Sequence, residues 1–535
     1  MHEIAGWDTA YVKETCNIVP LAQPVKYLGG VLGSGEQITA AFAETCGKVN
    51  DLHHAIDTVG DAATEFVLKK ACADVSKVVY TLRINGDKYP EEVLRTYSDT
   101  LRNSMARSLG GAISDSSWRQ ASCATKAGGL GIRLAEEVAL PAFVASRVSA
   151  WPAVRGIFER IEAAGLAPSG SLQSIYQQRT VAARDRLVDC FPEGDSARGS
   201  MVAALEESAA AAEVAWQRLV SGENTTSVTS DGNLAGFASV GESRGGEESE
   251  ARSTVKAIQK KLCGLVDRYH LDALTEHHRA EGREEDTLRL DDLRDPHQDH
   301  SWMCSLNPQV DIVLPEADWL IAMRVRIGCQ MLSGEHVCRC CGTHILDSQC
   351  FHALCCSIAE STRGHNRIRN TLHAGFSVSD PGAALEVEGL VPSAPDLRPA
   401  DVLTAAAHET SLAAVDIGIK APHSRDAGLD CTETMKQDKF QKYQLHLPEL
   451  EREGILYKPA IFSCFGRRHP DTTDMMTLAA RRAARYRGLP DHRSMLRRWY
   501  RSASAEVWRR AACMVRSCMP GDSDEAEQLL QQQQM

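Results

Sequence analysis

A group of six cysteines between residues 338 and 356 constrains the fold of this chain more than any other feature. One selection from this group reads C-x2-C, then ten residues, then H-x3-C. Zinc takes four tetrahedral nitrogen or sulfur ligands, and a C-x2-C step holds two thiolates on one tight turn. Two residues four positions apart on a helix lie on the same face, so both can point at one ion. The predicted ligands of a structural Zn2+ are Cys338, Cys341, His352 and Cys356.

Two alternatives stay open in the same region. Cys340, Cys350 and Cys355 could exchange roles with the chosen ligands, and the region could be a buried thiol-rich corner that binds no metal. Four ligands at a workable spacing favour zinc. We therefore predict a zinc knuckle over residues 333–362.

Composition narrows the class of protein. The chain has 535 residues, of which 43% are hydrophobic and 24% charged, as in ordinary folded proteins of two to four domains. The other cysteines are scattered, which is typical of a reducing compartment. No run approaches eighteen apolar residues, and residues 1–7 lack the pattern of a secretory signal. We expect an intracellular, nuclear protein without a membrane partner.

Basic residues are concentrated near the end of the chain, although the net charge is −12. Residues 467–516 contain 13 Lys and Arg against 4 Asp and Glu. Local patches, rather than totals, steer a polyanion to a protein. A second basic helix follows the cysteines. The predicted nucleic-acid contacts are Arg363, His365, Arg367, Arg369, Arg481, Arg482, Arg497, Arg498 and Arg501. The alternative for the C-terminal arginines is a solvated helix face.

An acidic pair lies on two apolar segments that read as neighbouring strands. Asp401 opens the segment 401–403, and Asp416 lies within the segment 414–420. Two carboxylates on adjacent strands can share Mg2+, which activates water and stabilises negative charge on a phosphoryl group. The residues alone leave structural charges as an equal alternative. A further strand over 460–466 would complete a small mixed sheet.

Several more side chains could complete such a centre. Glu386 and Glu388 precede the first strand and could supply a third carboxylate, and Lys420 shares a strand face with Asp416 by the period of two. The candidates on the following helix are Lys436, Lys439, Lys442 and Tyr443.

The remaining segments are assigned by periodicity and composition. We predict a strand and turn over residues 1–34, a helical region over 35–220, a flexible linker over 221–252 and a helical connector over 253–332. Basic helices are predicted over 471–518 and a disordered tail over 519–535. In the connector, Asp291 and Asp292 are assigned to a solvated helix face.

The order of motifs resembles the C-terminal part of non-LTR retrotransposon polyproteins. It runs from C-x2-C and H-x3-C through the Arg363–Asn366 helix to the Arg398–Asp401 strand, the Asp416 strand and the Lys/Tyr helix. The likeness covers roughly 20–150 and 320–470, and it is specific in the second block. It implies an α+β, multidomain protein with a mostly helical N-terminal half, a small zinc knuckle and a restriction-endonuclease-like α/β domain of the PD-(D/E)xK type over 363–470.

The resemblance also implies roles. Asp401 and Asp416 become Mg2+ ligands, and the catalytic lysine moves to the helix as Lys436 or Lys439, because Gly418 occupies its usual strand position. Residues 1–34 become the end of a polymerase palm, and residues 35–220 become a thumb-like region. DNA, and also the element's RNA, become the partners, with DNA nicking for integration as the activity. The aromatic-x-Asp-Asp polymerase motif is absent from the sequence, so no reverse transcription is expected. A catalytically inactive zinc-containing nucleic-acid-binding remnant is the alternative.

Overall fold

A computed structural model describes residues 24–27, 30–166, 168–221, 246–356, 358 and 360–520. The predicted tail lies outside these residues from 521 onward, as does the predicted linker from 222 to 245. A helix already runs from Gly246, inside the segment predicted as linker.

Within the described residues the chain is mostly helical, with small sheets, which confirms the α+β class. The helices are α1 (Gly35–Ile56), α2 (Ala62–Cys72), α3 (Val79–Asn85), α4 (Glu91–Ser108), α5 (Asp115–Ala121), α6 (Ala135–Ala163), α7 (Ser171–Asp189), α8 (Ser196–Ser221), α9 (Gly246–Ala280), α10 (Glu284–Arg294), α11 (Glu316–Arg326), α12 (Phe351–Cys355), α13 (Ser361–Phe376), α14 (Cys431–Tyr443), α15 (Leu447–Arg452), α16 (Pro470–Tyr486) and α17 (Arg493–Cys518). The strands are β1 (Val25–Tyr27), β2 (Gly30–Leu32), β3 (His336–Val337), β4 (Ile345–Leu346), β5 (Ala384–Leu385), β6 (Val402–Thr404), β7 (Leu412–Lys420) and β8 (Ile455–Ser463).

The chain divides into two compact units that do not follow the linear order of the predicted segments. The first unit combines residues 1–58, 68–104 and 131–272, and the second combines 59–67, 105–130 and 273–535. The predicted helical region over 35–220 therefore contributes to both units.

The first unit contains the β1–β2 hairpin and long helices around two apolar clusters. In one cluster Phe42 of α1 packs on Tyr89, with ring centroids 4.6 Å apart. In the other, Phe143 of α6 packs with Leu187 of α7 and Leu205 of α8. Helix α1 starts at a capping box, in which the Ser34 hydroxyl accepts from the Gln37 N–H at 3.3 Å.

The second unit contains a four-stranded mixed sheet in the order β5-β6-β7-β8. Strands β6 and β7 form an antiparallel pair, and β7 and β8 run parallel, joined by α14 and α15. The predicted small mixed sheet is confirmed, but its last strand is β8 at 455–463, which starts five residues before the predicted 460. A purely helical fold over 401–465 is excluded.

Helices cover both faces of this sheet. Val415 and Ile417 of β7 pack on one face with residues of α13, α16 and α17. On the opposite face Ala414 packs with Tyr443 of α14 and Leu450 of α15. Because alternate residues of a strand point to opposite faces, Asp416, Gly418 and Lys420 share the face that α14 covers.

Helices α16 and α17 are the predicted basic pair. Ala503 and Val507 of α17 are buried against the sheet, while Arg497 and Arg498 are exposed. No helix among the described residues is both long enough and apolar enough to cross a bilayer.

Candidate metal centre and carboxylate site

The cysteine region folds into a short hairpin followed by a helical turn. Strands β3 and β4 pair antiparallel, and the turn between them is closed by Cys338 N–H donating to His344 O at 2.7 Å and Gly342 N–H donating to Cys338 O at 2.8 Å. Gly342 has φ +65°, a left-handed conformation that glycine adopts without strain. The turn brings Cys338 and Cys341 together.

Helix α12 and the residue directly after it supply the other two predicted ligands. The Asp347 carboxylate accepts hydrogen bonds from Phe351 N at 2.9 Å and His352 N at 3.1 Å, which satisfies N–H groups at the start of the helix. His352 and Cys356 then lie four residues apart, next to Cys338 and Cys341 of the hairpin.

All four predicted ligand atoms lie within 4.8 Å of one another. Cys338 Sγ and Cys356 Sγ are 4.0 Å apart, and Cys341 Sγ is 3.5 Å from His352 Nε2. Tetrahedral zinc with ordinary bond lengths separates two sulfur ligands by about 3.8 Å, and a sulfur from a nitrogen by about 3.5 Å. The Cys3His cluster could therefore hold zinc in a structural site, because the distances fit and no fifth ligand is needed.

The hairpin also stabilises the deprotonated form of one candidate ligand, Cys341. The Thr343 hydroxyl and the N–H groups of Thr343 and His344 donate to Cys341, and they lower the pKa of this thiol to about 4. Burial raises the pKa of Cys356. Cys341 is thus ready to bind a metal as a thiolate. Burial disfavours the thiolate of Cys356, and a bound cation would stabilise it.

The three other cysteines of the group lie outside the cluster. Cys340 donates to Ser517 O at 3.2 Å, and burial raises the pKa of Cys350 to about 12 and that of Cys355 to about 11. No spacing in the sequence singles out His344, yet its ring stacks on that of His352 with centroids 4.4 Å apart.

The end of α17 supports the hairpin. Arg339 N–H donates to Cys518 O at 3.0 Å, next to the bond from Cys340 to Ser517. These bonds join two segments about 180 residues apart, so the knuckle is fixed to the helix that also packs on the sheet.

Asp401 lies directly before β6, and its carboxylate is hydrogen-bonded to the backbone of the neighbouring strand, β7. Its Oδ2 accepts from Ile417 N at 2.7 Å, and its Oδ1 is 3.2 Å from His365 Nε2. Burial acts to raise the pKa of Asp401, but the His365 hydrogen bond and charge, the Ile417 N–H and the Lys439 charge outweigh burial, and the pKa is lowered. Asp401 is therefore held as a carboxylate beside β7.

Asp416 lies on β7 next to that contact. Lys439 Nζ of α14 is 2.6 Å from its Oδ1, and the Tyr457 hydroxyl of β8 donates to its Oδ2 at 2.6 Å. Burial raises the pKa of Asp416 and the charge of Asp401 adds to the rise, while Lys439 and Tyr457 oppose it. Asp401, Asp416 and Lys439 thus form one interacting group at the start of the β6–β7 ladder.

Gly418 occupies the strand position that the resemblance gives to the catalytic lysine, and a side chain at this position would clash with its neighbours. A Cβ at this position would lie 2.6 Å from Ile461 Cδ1 and 2.9 Å from Met435 Cγ. The space beside β7 is filled by α14 and β8, and the helix that fills it also delivers Lys439 to Asp416. Lys420, on the same strand face, pairs instead with Asp426 and Asp438.

The other candidates for this centre point elsewhere. Lys436 pairs with Asp471 at 2.7 Å. The Lys442 ammonium lies 4.7 Å from the centre of the Tyr443 ring, whose hydroxyl donates to Arg398 O at 3.1 Å. Glu388 pairs with Arg398, and Glu386 pairs with Arg369. No third carboxylate therefore joins Asp401 and Asp416 among the residues described, where the cysteine–histidine cluster is the one grouping of three or more close metal-ligating side chains.

The predicted nucleic-acid contacts fall into two sets. Some are held by the protein itself: Arg501 binds Asp311 through two contacts of 2.9 and 2.8 Å, Arg482 donates to Ala405 O and Glu409 O, and His365 faces Asp401. The exposed set contains Arg481, Arg497 and Arg498, together with Arg363, whose exposed guanidinium pairs with Glu360 at 2.9 Å. Arg369 is tied to Glu386, and Arg367 is half-buried, 3.7 Å from Cys513 Sγ.

Asp292 is the clearest departure from the sequence assignment. Instead of lying on a solvated face it is buried, accepts from the Ser463 hydroxyl at 2.6 Å and pairs with Arg467 at 2.6 Å. Both partners are more than 170 residues away in sequence, so local charge patterning could not reveal them.

No protein-family model matches this chain, and no curated protein matches its sequence.

Proposed function

We propose that residues 363–470 form a metal-dependent, restriction-like endonuclease that nicks DNA and belongs to a retroelement-derived protein. The observation that carries the proposal is the grouping of Asp401, Asp416 and Lys439 beside β7. Lys439 Nζ is 2.6 Å from Asp416 Oδ1, and Asp401 Oδ2 accepts from the backbone N–H of the residue after Asp416 at 2.7 Å. The succession of α13, β6, β7 and α14 follows the order of helix, strand, strand and helix on which the PD-(D/E)xK resemblance rests, and this supports the proposal.

The donor set fits a hard cation, since both carboxylates offer oxygen ligands beside one strand. Mg2+ held by Asp401 and Asp416 would supply charge stabilisation at the phosphoryl oxygens and an activated water. Lys439, now bonded to Asp416 Oδ1, would turn its ammonium to the scissile phosphate or the attacking water. Tyr457 and His365 would hold the two carboxylates in place.

The cysteine–histidine cluster has a separate role. We infer that it holds Zn2+ structurally and fixes the knuckle to α17. The exposed Arg363, Arg481, Arg497 and Arg498 would bind the DNA backbone, and that part of the affinity would fall steeply with salt. RNA of the element would bind through the same charges.

Nicking of supercoiled DNA with Mg2+ tests the catalytic claim. Wild type is compared with Asp416→Asn, which keeps the shape of the side chain but removes its charge, and with Asp438→Asn as the matched control. Asp438 lies on α14 beside Lys439 but pairs with Lys420. We expect nicking by wild type and Asp438→Asn, and its loss in Asp416→Asn. Equal nicking by all three, or none by any, overturns the endonuclease.

A catalytically inactive zinc-containing nucleic-acid-binding remnant is the second candidate. It is favoured by the partners that already occupy the carboxylates: His365 and Ile417 on Asp401, and Lys439 and Tyr457 on Asp416. About one zinc per chain, with DNA binding and no cleavage, would support this function over the first.

A further inference from the structure

A cavity of about 770 Å³ lies between α13, α16 and α17, away from the carboxylates. Pockets that hold small ligands measure about 300–1,000 Å³. On α13 the lining residues begin at Arg367 and recur at helical spacing. His365, two residues earlier, does not line the cavity and faces Asp401 instead. On α17 they follow Ser494 and Arg498 to Glu506. The cavity is therefore a separate site on the same unit.

Apolar side chains line much of the cavity, and its charged side chains are mostly positive. Arg367, Arg487 and Arg498 line it together with Asn370. Arg487 and Arg498 are exposed, so their guanidinium groups can reach a ligand at the mouth. Guanidinium groups bind phosphate through paired N–H donors. An anionic group at the mouth is the first requirement for a ligand.

An aromatic ring forms part of the same wall. Trp499 of α17 lies against Gly375 of α13, where a Cβ would stand 3.3 Å from the ring. The indole is half-buried. Aromatic walls hold flat rings, and nucleobases above all, by stacking.

A carboxylate provides the third feature. Glu506 lines the cavity, is 93% buried and has an Oε2 atom without a hydrogen-bond partner. Burial raises the pKa of its carboxyl group, and the charges of Arg509 and Arg367 counteract that rise. A buried oxygen without a donor costs roughly 1–3 kcal/mol, so a turn of the Glu506 side chain that presents this oxygen to the N–H groups of a ligand in the cavity would be stabilised.

We propose that this cavity binds an unpaired guanine nucleotide. A carboxylate accepts only, and guanine alone among the common bases presents two adjacent N–H donors, N1–H and the 2-amino group, on its Watson–Crick edge. The phosphate meets Arg487 and Arg498, and the base lies along Trp499. The base must be unpaired because pairing uses the same edge. The site does not depend on cleavage, so it can exist whether or not the carboxylate pair is catalytic.

The test uses the full chain and fluorescence anisotropy of labelled oligothymidine that carries one central guanine, adenine or hypoxanthine. Hypoxanthine lacks the 2-amino group but keeps N1–H. Because a paired contact to a base discriminates by about 1–3 kcal/mol, we expect guanine to bind about tenfold tighter than adenine, with hypoxanthine between them. Equal binding of guanine and adenine overturns the proposal.

Three variants test whether the preference for guanine arises in this cavity. Glu506→Gln should bind all three oligonucleotides alike, and Arg498→Ala should weaken all three. Arg493→Ala is the matched control, since Arg493 is an exposed arginine of the same helix that neither lines the cavity nor belongs to the predicted nucleic-acid contacts. A guanine preference that persists in Glu506→Gln contradicts the site. If that variant does not fold, the hypoxanthine comparison in wild type decides.

Competition separates the two sources of the base. Displacement of the guanine oligonucleotide by free GMP, but not by AMP, supports a mononucleotide ligand. A guanine preference seen only within the strand supports a nucleic-acid ligand. The proposed guanine site is wrong if GMP and AMP displace the oligonucleotide equally and the oligonucleotides themselves bind equally.

Discussion

The cysteine–histidine cluster and the carboxylate site differ in how their charge is balanced. In the cluster, Cys338, Cys341 and Cys356 come within 4.8 Å of one another and of His352, with no Lys or Arg among them. In the carboxylate site, Lys439 pairs with Asp416 and His365 lies against Asp401. The first arrangement would gain its counter-charge from a bound metal, whereas the second carries its own. We therefore expect metal to stabilise the fold at the cluster and to serve chemistry alone at the carboxylates.

Removal of zinc should have the largest effect. Cys338→Ser takes away one of four ligands, and structural zinc sites contribute roughly 10–16 kcal/mol of apparent binding free energy in isolated fingers. We expect zinc content to fall from about one per chain to none, and the hairpin to lose protection from amide hydrogen exchange. Mass spectrometry under native conditions and hydrogen exchange measure the two changes.

Cys355→Ser is the control for this loss, because Cys355 lies outside the cluster. It should keep its zinc and its exchange protection. A metal-free wild-type protein that melts cooperatively at an unchanged temperature would remove the contrast between the two sites. Depletion of Mg2+, by comparison, should leave the melting temperature unchanged.

The same contrast explains which parts could be predicted from the sequence. The four candidate zinc ligands lie within 19 residues, on a turn and around a short helix, so local spacing sets their geometry. Asp401 and Asp416 could be paired because a hairpin joins their strands. Tyr457 and His365 reach them from β8 and α13, and their arrival depends on the register of a parallel pair and on helix packing, which no local pattern encodes.

The arginines show more clearly what could not be predicted from the sequence. The sequence assigned Arg501 and Arg498 the same role, three residues apart on one helix. The structure ties Arg501 to Asp311, 190 residues away, and leaves Arg498 exposed beside the cavity. The difference is set by which element packs against each side of α17, a long-range property.

Loss of the helix lysine should have the next largest effect. Lys439→Met removes the ammonium from Asp416, and a single positioned donor in a phosphoryl-transfer site is worth about 100-fold in rate. Lys436→Met is the matched control, since Lys436 pairs with Asp471. Single-turnover nicking rates measure both. A loss in Lys436→Met instead of Lys439→Met would assign the catalytic lysine to the other position.

The packing around Gly418 should yield a moderate effect on stability. Gly418→Ala places a methyl group 2.6 Å from Ile461 Cδ1 and 2.9 Å from Met435 Cγ, and such overpacking costs about 1–3 kcal/mol. Gly264→Ala, in α9 where an added methyl group meets nothing, should instead stabilise by up to about 1 kcal/mol. Thermal melting compares the two. A neutral Gly418→Ala would show that α14 can move away from β7, and that a strand lysine could be accommodated.

The hydroxyl of Tyr457 should have the most specific signature. Tyr457→Phe removes a hydrogen bond of 2.6 Å to Asp416 Oδ2, and a bond to a charged group is worth about 1.5–3 kcal/mol, so nicking should fall by about tenfold or more at neutral pH. That bond lowers the pKa of Asp416, whose burial already raises it. Without the bond the carboxyl group holds its proton to a higher pH. Since Mg2+ needs the ionised form, the acid limb of the pH–rate profile should move upward in Tyr457→Phe. A rate loss with an unmoved acid limb would mean that Tyr457 packs against the site without holding Asp416 as a carboxylate.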